Sequence, residues 1–326
     1  MTMAIRMYET GGPEVLRWEE IDPGRPGPGE VLIRHEAVGL NFIDVYHRTG
    51  LYPLPSLPAT PGLEGAGVIE EVGPGVSRLR VGDRVAYAGL PPGAYAQART
   101  IAAHRLVRLP DGISTRQGAA IMLQGMTARY LLRGCYRVRR GDTILIHAAA
   151  GGVGLIVCQW AHYLGATVIG TVGSPEKAEL ARRNGCDHPI EYRHEDLVAR
   201  VREITGGRGV DVVYDSVGRD TFDKSLDCLR PMGMMVSFGQ SSGPVPPLDL
   251  AMLAARGSLF ITRPSLMTYT AERKDLLAHA RDLFNVIAKG AVQVEIRQTY
   301  PLSEAARAHE DLESRRTRGT SILIPD

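Results

Sequence analysis

Ile144-Leu-Ile-His147-Ala-Ala-Ala150-Gly-Gly-Val-Gly154 decides how this chain folds. An apolar run ends in small residues, and a glycine-rich turn then opens an amphipathic segment that continues to Leu164. This is the strand–turn–helix pattern of a dinucleotide-binding unit. Its glycines let the backbone approach a pyrophosphate, and the positive end of a helix receives the charge. The fingerprint G-x-G-x-x-G is met as Ala149-x-Gly151-x-x-Gly154, with alanine at the first position. Gly151 and Gly152 are the expected pyrophosphate contacts. Gly154 is expected to permit close helix–sheet packing.

Outward from this turn, residues 124–262 alternate strand-like and helical segments. Expected strands are Thr143–His147, Thr167–Val172, Pro189–Tyr192, Val210–Ser216 and Met234–Phe238, with helical stretches after most of them. Pro175 suits a first helical turn and Gly185 a helix end. Such alternation implies a doubly wound parallel sheet, a Rossmann domain. Residues 1–123 differ, with short β-branched runs separated by turns such as Gly27-Pro28-Gly29 and Gly73-Pro74-Gly75. They predict a β-rich domain, to which residues 263–326 are expected to return. In that tail, Ser303 is expected to cap a helix and Thr320–Ile324 to form the last strand.

The cofactor can be read from the end of the second strand. An NAD site places an acidic residue there for the ribose hydroxyls. Here the strand ends Gly170-Thr-Val-Gly173-Ser174, without a carboxylate, and Lys177 follows one turn later. A hydroxyl and an ammonium attract a 2′-phosphate that a carboxylate would repel, which favours NADP(H).

Composition bounds the remainder. With 44% hydrophobic and 23% charged residues the chain reads as soluble and globular, and no apolar run approaches the length of a membrane span. A formal charge of +2 and the lack of a basic–aromatic stripe argue against nucleic acid as a partner. Met1–Arg6 lacks the apolar core of a secretion signal, so the expected location is the cytoplasm. The four cysteines, Cys135, Cys158, Cys186 and Cys228, have no metal-clip spacing. There is no G-x-S-x-G or H-E-x-x-H motif to support hydrolysis.

Several motifs occur in one order along the chain: Gly11-Gly-Pro-Glu-Val-Leu16, Gly39-Leu-Asn-Phe-Ile-Asp44, Arg48-Thr-Gly-Leu-Tyr-Pro53, Pro61-Gly-Leu-Glu-Gly-Ala-Gly67, Val81-Gly-Asp-Arg-Val85, Val213-Tyr-Asp-Ser-Val-Gly218 and Thr262-Arg-Pro-Ser265. With the glycine-rich turn, they make the whole chain resemble the zinc-free, zeta-crystallin-like quinone oxidoreductases of the medium-chain dehydrogenase/reductase superfamily. The resemblance implies a GroES-like β-rich domain plus a Rossmann domain. It also implies a homodimer, for which Gly257-Ser-Leu-Phe-Ile-Thr262 is the candidate edge strand. Zinc-dependent relatives carry Cys in place of Asn41 and His in place of Leu63, and a four-Cys lobe in the region of Leu90–Arg108, which has no Cys here. No metal is therefore expected.

The resemblance further implies NADPH-dependent transfer of hydride, or of electrons singly, to a quinone between the domains. Asn41, Tyr46, Tyr52 and Arg263 are the candidates for holding substrate and stabilising charge on its oxygen. Asn41, Phe42, Ile43, Asp44 and Tyr46 are expected beside the nicotinamide, with Thr127 and Tyr130 on the helix entering the Rossmann domain. Gly152 and Val153 would face the pyrophosphate, and Gly173, Ser174, Lys177 and Tyr192 the adenosine phosphate. Ser216, Phe238, Gly239 and Ser241 would line the strand ends, and Arg315 would close over the cofactor. One alternative is an NADPH-dependent enone or alkenal double-bond reductase. Another, of a different class, is a nucleotide-binding crystallin-like or nucleic-acid-binding protein.

Overall fold

A computed structural model describes residues 1–326. The chain begins with β1 (Thr2–Arg6), β2 (Arg17–Ile21), β3 (Glu30–Leu40), α1 (Phe42–Arg48), β4 (Glu64–Val72), β5 (Arg84–Ala88), β6 (Ala98–Ala102), β7 (Val107–Arg108) and α2 (Thr115–Tyr130). There follow β8 (Thr143–Ile146), α3 (Gly152–Tyr163), β9 (Thr167–Val172), α4 (Pro175–Arg183), β10 (His188–Glu191), α5 (Leu197–Ile204), β11 (Val210–Asp215), α6 (Phe222–Cys228), β12 (Leu229–Ser237), α7 (Ala251–Ala255), β13 (Phe260–Thr262) and α8 (Leu266–Tyr269). The chain closes with α9 (Arg273–Ala288), β14 (Ile296–Pro301), α10 (Ala305–Glu313) and β15 (Thr320–Ile324).

In one unit, six parallel strands lie in the order β10-β9-β8-β11-β12-β13. The chain winds outward from β8 on one side and from β11 on the other. That is the Rossmann order, and ligands bind beyond the strand ends at the β8/β11 switch point. The strands read as continuous apolar runs because helices cover both faces: all six residues of β11 are buried. Ser174 caps α4 by accepting from the Lys177 backbone at 3.4 Å, and Pro175 follows it.

In the other unit, seven strands lie in the order β14-β15-β3-β4-β5-β7, with β6 paired to β3. Pairing is antiparallel except between β14 and β15. Alternate residues of β3, Val31, Ile33, His35 and Ala37, point inward, as a pleated strand with one buried face requires. Val31 and Ile33 join Ile69, Val85, Tyr300, Leu302 and Leu323 in the core.

The units are Met1–Met126 with Thr270–Phe284 and Val294–Asp326, and Thr127–Tyr269 with Asn285–Gln293. Residues 263–269 and 285–293, expected with the β-rich domain, instead pack with the parallel sheet. Specific contacts account for this. Arg263 binds the Ser237–Gly239 backbone, Tyr269 stacks on Tyr130, and Gln159 bonds both ways with the Gln293 backbone. Ser303 is not a helix cap either. It lies in a single 3-10 turn, Leu302–Glu304, its N–H donating to Asp326 Oδ2 at 3.1 Å, and α10 starts two residues later. No helix is long and apolar enough to cross a membrane.

Candidate functional site

The glycine-rich turn is tightly built. Ala148, not a glycine, takes the left-handed conformation (φ 53°), and its carbonyl accepts from Gly151 N–H at 2.9 Å. Gly151 is the extended N-cap of the twelve-residue α3, whose first N–H groups have no carbonyl within the helix. A Cβ on Gly154 would fall 2.3 Å from Ala148 O and 2.7 Å from Ala149 O, so the third glycine of the fingerprint is required. This cradle of small residues at a helix N-terminus suits a pyrophosphate. Val153 lies in the first turn of α3.

Gly173, Ser174, Lys177 and Tyr192 come together beyond the end of β9. The Tyr192 hydroxyl sits against Gly173, where an added Cβ would lie 3.0 Å from it. With its hydroxyl oxygen accepting from Lys177 N–H, Ser174 keeps its own hydrogen for a further acceptor. No acidic side chain occupies the strand tip, so the donor set matches a 2′-phosphate.

Ser216, Phe238, Gly239 and Ser241 gather beyond β11 and β12. Phe238 and Gly239 donate to Asp215 O, and Ser241 donates to Ser216 O at 3.1 Å. Arg263 supports this loop from beneath, with Nη1 donating to Ser237 O (3.2 Å), Ser237 Oγ (3.1 Å) and Gly239 O (2.8 Å). Tyr130 is buried near Thr127 and stacks on Tyr269 with ring centroids 4.9 Å apart; burial pushes its hydroxyl pKa up.

The remaining candidates belong to the β-rich unit. Phe42, Ile43, Asp44 and Tyr46 form the first turns of α1, which Asn41 caps. Tyr46 packs edge-on to Tyr52 (centroids 5.0 Å), and Tyr52 N–H donates to Tyr46 O. Arg315 sits in the exposed turn after α10 with φ 60°.

Asn41 is held by residues the sequence reading did not single out. Its Nδ2 donates to Glu64 Oε2 at 2.7 Å, its Oδ1 accepts from Gln124 Nε2 at 3.1 Å, and Gln124 Oε1 accepts from Thr320 at 2.8 Å. All four residues are buried. Partners on both sides fix which way the amide points, and one N–H of Asn41 Nδ2 remains to donate elsewhere. Asp44 Oδ2 accepts from Asn41 N–H (2.9 Å) and the Tyr95 hydroxyl (3.0 Å). Tyr95 in turn meets His309, and His309 meets the buried Arg48 guanidinium, which also bonds Glu313. Burial lifts the pKa of Asp44 to about 7 and of Glu64 to about 8, and lowers that of His309 to about 3.

These donors do not fit zinc. The Asn41 carbonyl oxygen is taken by Gln124 and its nitrogen is a donor, Leu63 is apolar, and no group of three or more His, Cys, Asp or Glu side chains could hold a metal ion.

A GroES-like β unit and a Rossmann unit define the alcohol-dehydrogenase-like class of oxidoreductases. Family models agree: the alcohol dehydrogenase GroES-like domain matches residues 27–111 and the zinc-binding dehydrogenase domain residues 152–280. A quinone oxidoreductase from Pseudomonas aeruginosa is 53% identical over 325 residues, covering all of both chains. A 2-haloacrylate reductase from a Burkholderia species is 48% identical, covering 100% of this chain and 99% of that one. The crystal structure of Escherichia coli quinone oxidoreductase complexed with NADPH superposes with TM-score 0.97 at 51% identity, covering 99% of this chain and 100% of that one. The chain therefore belongs to the zeta-crystallin-like quinone oxidoreductase family of the medium-chain dehydrogenase/reductase superfamily.

Proposed function

We propose that this chain is an NADPH-dependent quinone reductase. The observation that carries the reading is the Asn41 amide, pinned by Glu64 and Gln124 with one N–H to spare. A neutral hydrogen-bond donor stabilises charge on an acceptor that already delocalises it, and quinones are such acceptors. When bound, NADPH supplies the hydride. With one proton from water, a quinone becomes the hydroquinone.

The chain's residues orient and bind. Gly151, Gly152 and Val153 take the pyrophosphate; Gly173, Ser174, Lys177 and Tyr192 take the adenosine phosphate. Thr127, Tyr130, Ser216, Phe238, Gly239 and Ser241 line the cofactor's course, and Arg315 covers it. Asn41, Phe42, Ile43, Asp44 and Tyr46 serve the nicotinamide end, and Tyr52 offers a ring face to the quinone. Arg263 is better read as the brace of the Ser237–Gly239 loop, since three acceptors on that loop share its Nη1. The two units are the catalytic and cofactor domains. A homodimer forms through β13. Four thiols outside any disulfide suit a reducing cytoplasm.

The likeness to a 2-haloacrylate reductase favours a second reading, reduction of an activated carbon–carbon double bond. NADPH oxidation followed with 1,4-benzoquinone, 9,10-phenanthrenequinone, an alkenal and 2-chloroacrylate separates the two. Turnover of the quinones supports the first. Turnover confined to the alkenal or the haloacrylate would replace it with the second.

A further inference from the structure

Beneath the glycine-rich turn runs a chain of buried polar side chains that crosses the ends of three central strands. Its members are Thr171 on β9, His147 just after β8, Asp215 on β11 and Ser225 on α6, all buried. His147 Nδ1 lies 3.0 Å from Thr171 Oγ1, and its Nε2 lies 2.9 Å from Ser225 Oγ. Ser225 donates to Asp215 Oδ2 at 2.9 Å, and that carboxylate also accepts from Thr221 Oγ1 and from the backbone N–H groups of Val217 and Gly218.

The hydrogens have one consistent direction. Because Ser225 gives its hydrogen to Asp215, it must accept from His147, which places the imidazole proton on Nε2. Burial keeps the ring neutral, so Nδ1 is an acceptor and takes the Thr171 hydroxyl hydrogen. The Thr171 oxygen is then aimed at Ala148 N–H, 3.3 Å away, while Thr171 O accepts from Ala149 N–H at 3.0 Å. Thr171 thus grips both residues that shape the turn, one of them in the left-handed region, which disfavours side chains.

We infer that His147 is a positioning residue for the cofactor. Through Thr171, and anchored on Ser225 and Asp215, it holds the Ala148–Gly151 turn in the shape that receives the pyrophosphate. The inference rests on the proposed function, in which that turn binds NADPH.

NADPH affinity and thermal stability, measured for His147→Phe, Thr171→Val and the double variant, test it. Phenylalanine keeps the bulk of the imidazole, and valine keeps the shape of threonine. Each single variant is expected to raise the Kd for NADPH about tenfold, to leave the KM for quinone unchanged, and to bind with no greater loss when combined. His147→Gln, which can still accept and donate, is expected to recover part of the affinity. Single variants with wild-type Kd would overturn the inference, whatever their thermal stability. So would losses that multiply in the double variant. Gly151→Asp separates this from failure of the underlying reading: aspartate is a good N-cap but sets a charge against the pyrophosphate. If it binds NADPH normally, the turn is not the cofactor site and the reading itself fails.

Discussion

Ala149, in the turn after β8, and Gly170 on β9 are complementary: a Cβ added to Gly170 would stand 2.6 Å from the Ala149 Cβ and 2.8 Å from Cys186 Sγ. The methyl group that Ala149 brings to the first fingerprint position occupies the space a side chain on the neighbouring strand would fill. Gly170→Ala is therefore expected to destabilise the chain by roughly 1–3 kcal/mol through overpacking. Adding Ala149→Gly should recover part of that loss, but not all, because the Cys186 contact remains. Urea unfolding of the two singles and the double measures this. Additive losses would show that the two positions are not coupled.

This pairing marks where the sequence stops being legible. The alternation of strands and helices, and the glycines at 151 and 154, follow from local periodicity and backbone geometry. So does the helix start at Pro175. The partners that complete the site are distant in sequence: Gly170 for Ala149, Gln124 and Thr320 for Asn41, His309 and Glu313 for Arg48. Nothing in residue type sets Gln124 apart from an ordinary helical glutamine until β3 and β4 bring Asn41 and Glu64 against α2. His147 is buried at the end of its strand, as an ordinary packed histidine would be. Only its partners on two other elements show that it is also directional. Ser303 misled because a serine before a helical run looks like a cap, whereas the chain first makes a 3-10 turn tied to Asp326.

Lys177 lies one turn into α4, beside the uncharged tip at Gly173 and Ser174. If it reads the 2′-phosphate, Lys177→Ala should weaken NADPH binding by roughly 1–3 kcal/mol, the range for a charge-assisted contact, and leave NADH binding unchanged. Titration of both cofactors by fluorescence decides this. Equal losses for the two would remove Lys177 from the phosphate site.

Gln124 acts on Asn41 rather than on substrate. Gln124→Leu leaves Asn41 Oδ1 and the Thr320 hydroxyl without their partner and frees the amide to turn. The expected result is a fall in kcat of about tenfold, equivalent to roughly 1.4 kcal/mol, with NADPH affinity retained. Gln124→Glu should be worse, because a carboxylate facing Oδ1 favours the reversed amide, which removes the Nδ2–Glu64 hydrogen bond. Unchanged kcat in both variants would mean that the Asn41 orientation does not matter to the reaction.

Asp44 and Glu64 make stability depend on pH. In the unfolded chain both carboxyls ionise near pH 4. Folded, burial raises them to about 7 and about 8. Between these limits the folded state holds more protons, so stability falls as pH rises from about 4, as far as about 7 for Asp44 and about 8 for Glu64. Above the folded values the loss is complete and the curve levels. Asp44→Asn removes one of the two groups, so its urea midpoint should decline less steeply than wild type between about pH 5 and pH 7. Parallel declines would show that Asp44 is ionised throughout in the folded chain.

β13 is paired on one side only, by β12, and its Phe260 and Ile261 are 57% and 37% exposed. An apolar edge strand with unpaired backbone groups invites another strand. A second copy of the same edge, related by a two-fold axis, would lie antiparallel to it and continue the sheet from one protomer into the other. Placing Lys at both 260 and 261 blocks that pairing as natural edge strands do, by charge, without removing a contact from the core. Sedimentation should then find the variant at half the wild-type mass, with its circular dichroism unchanged. A variant that sediments like wild type would move the dimer interface off this edge. Wild-type protein that sediments as a monomer would dispose of the dimer altogether.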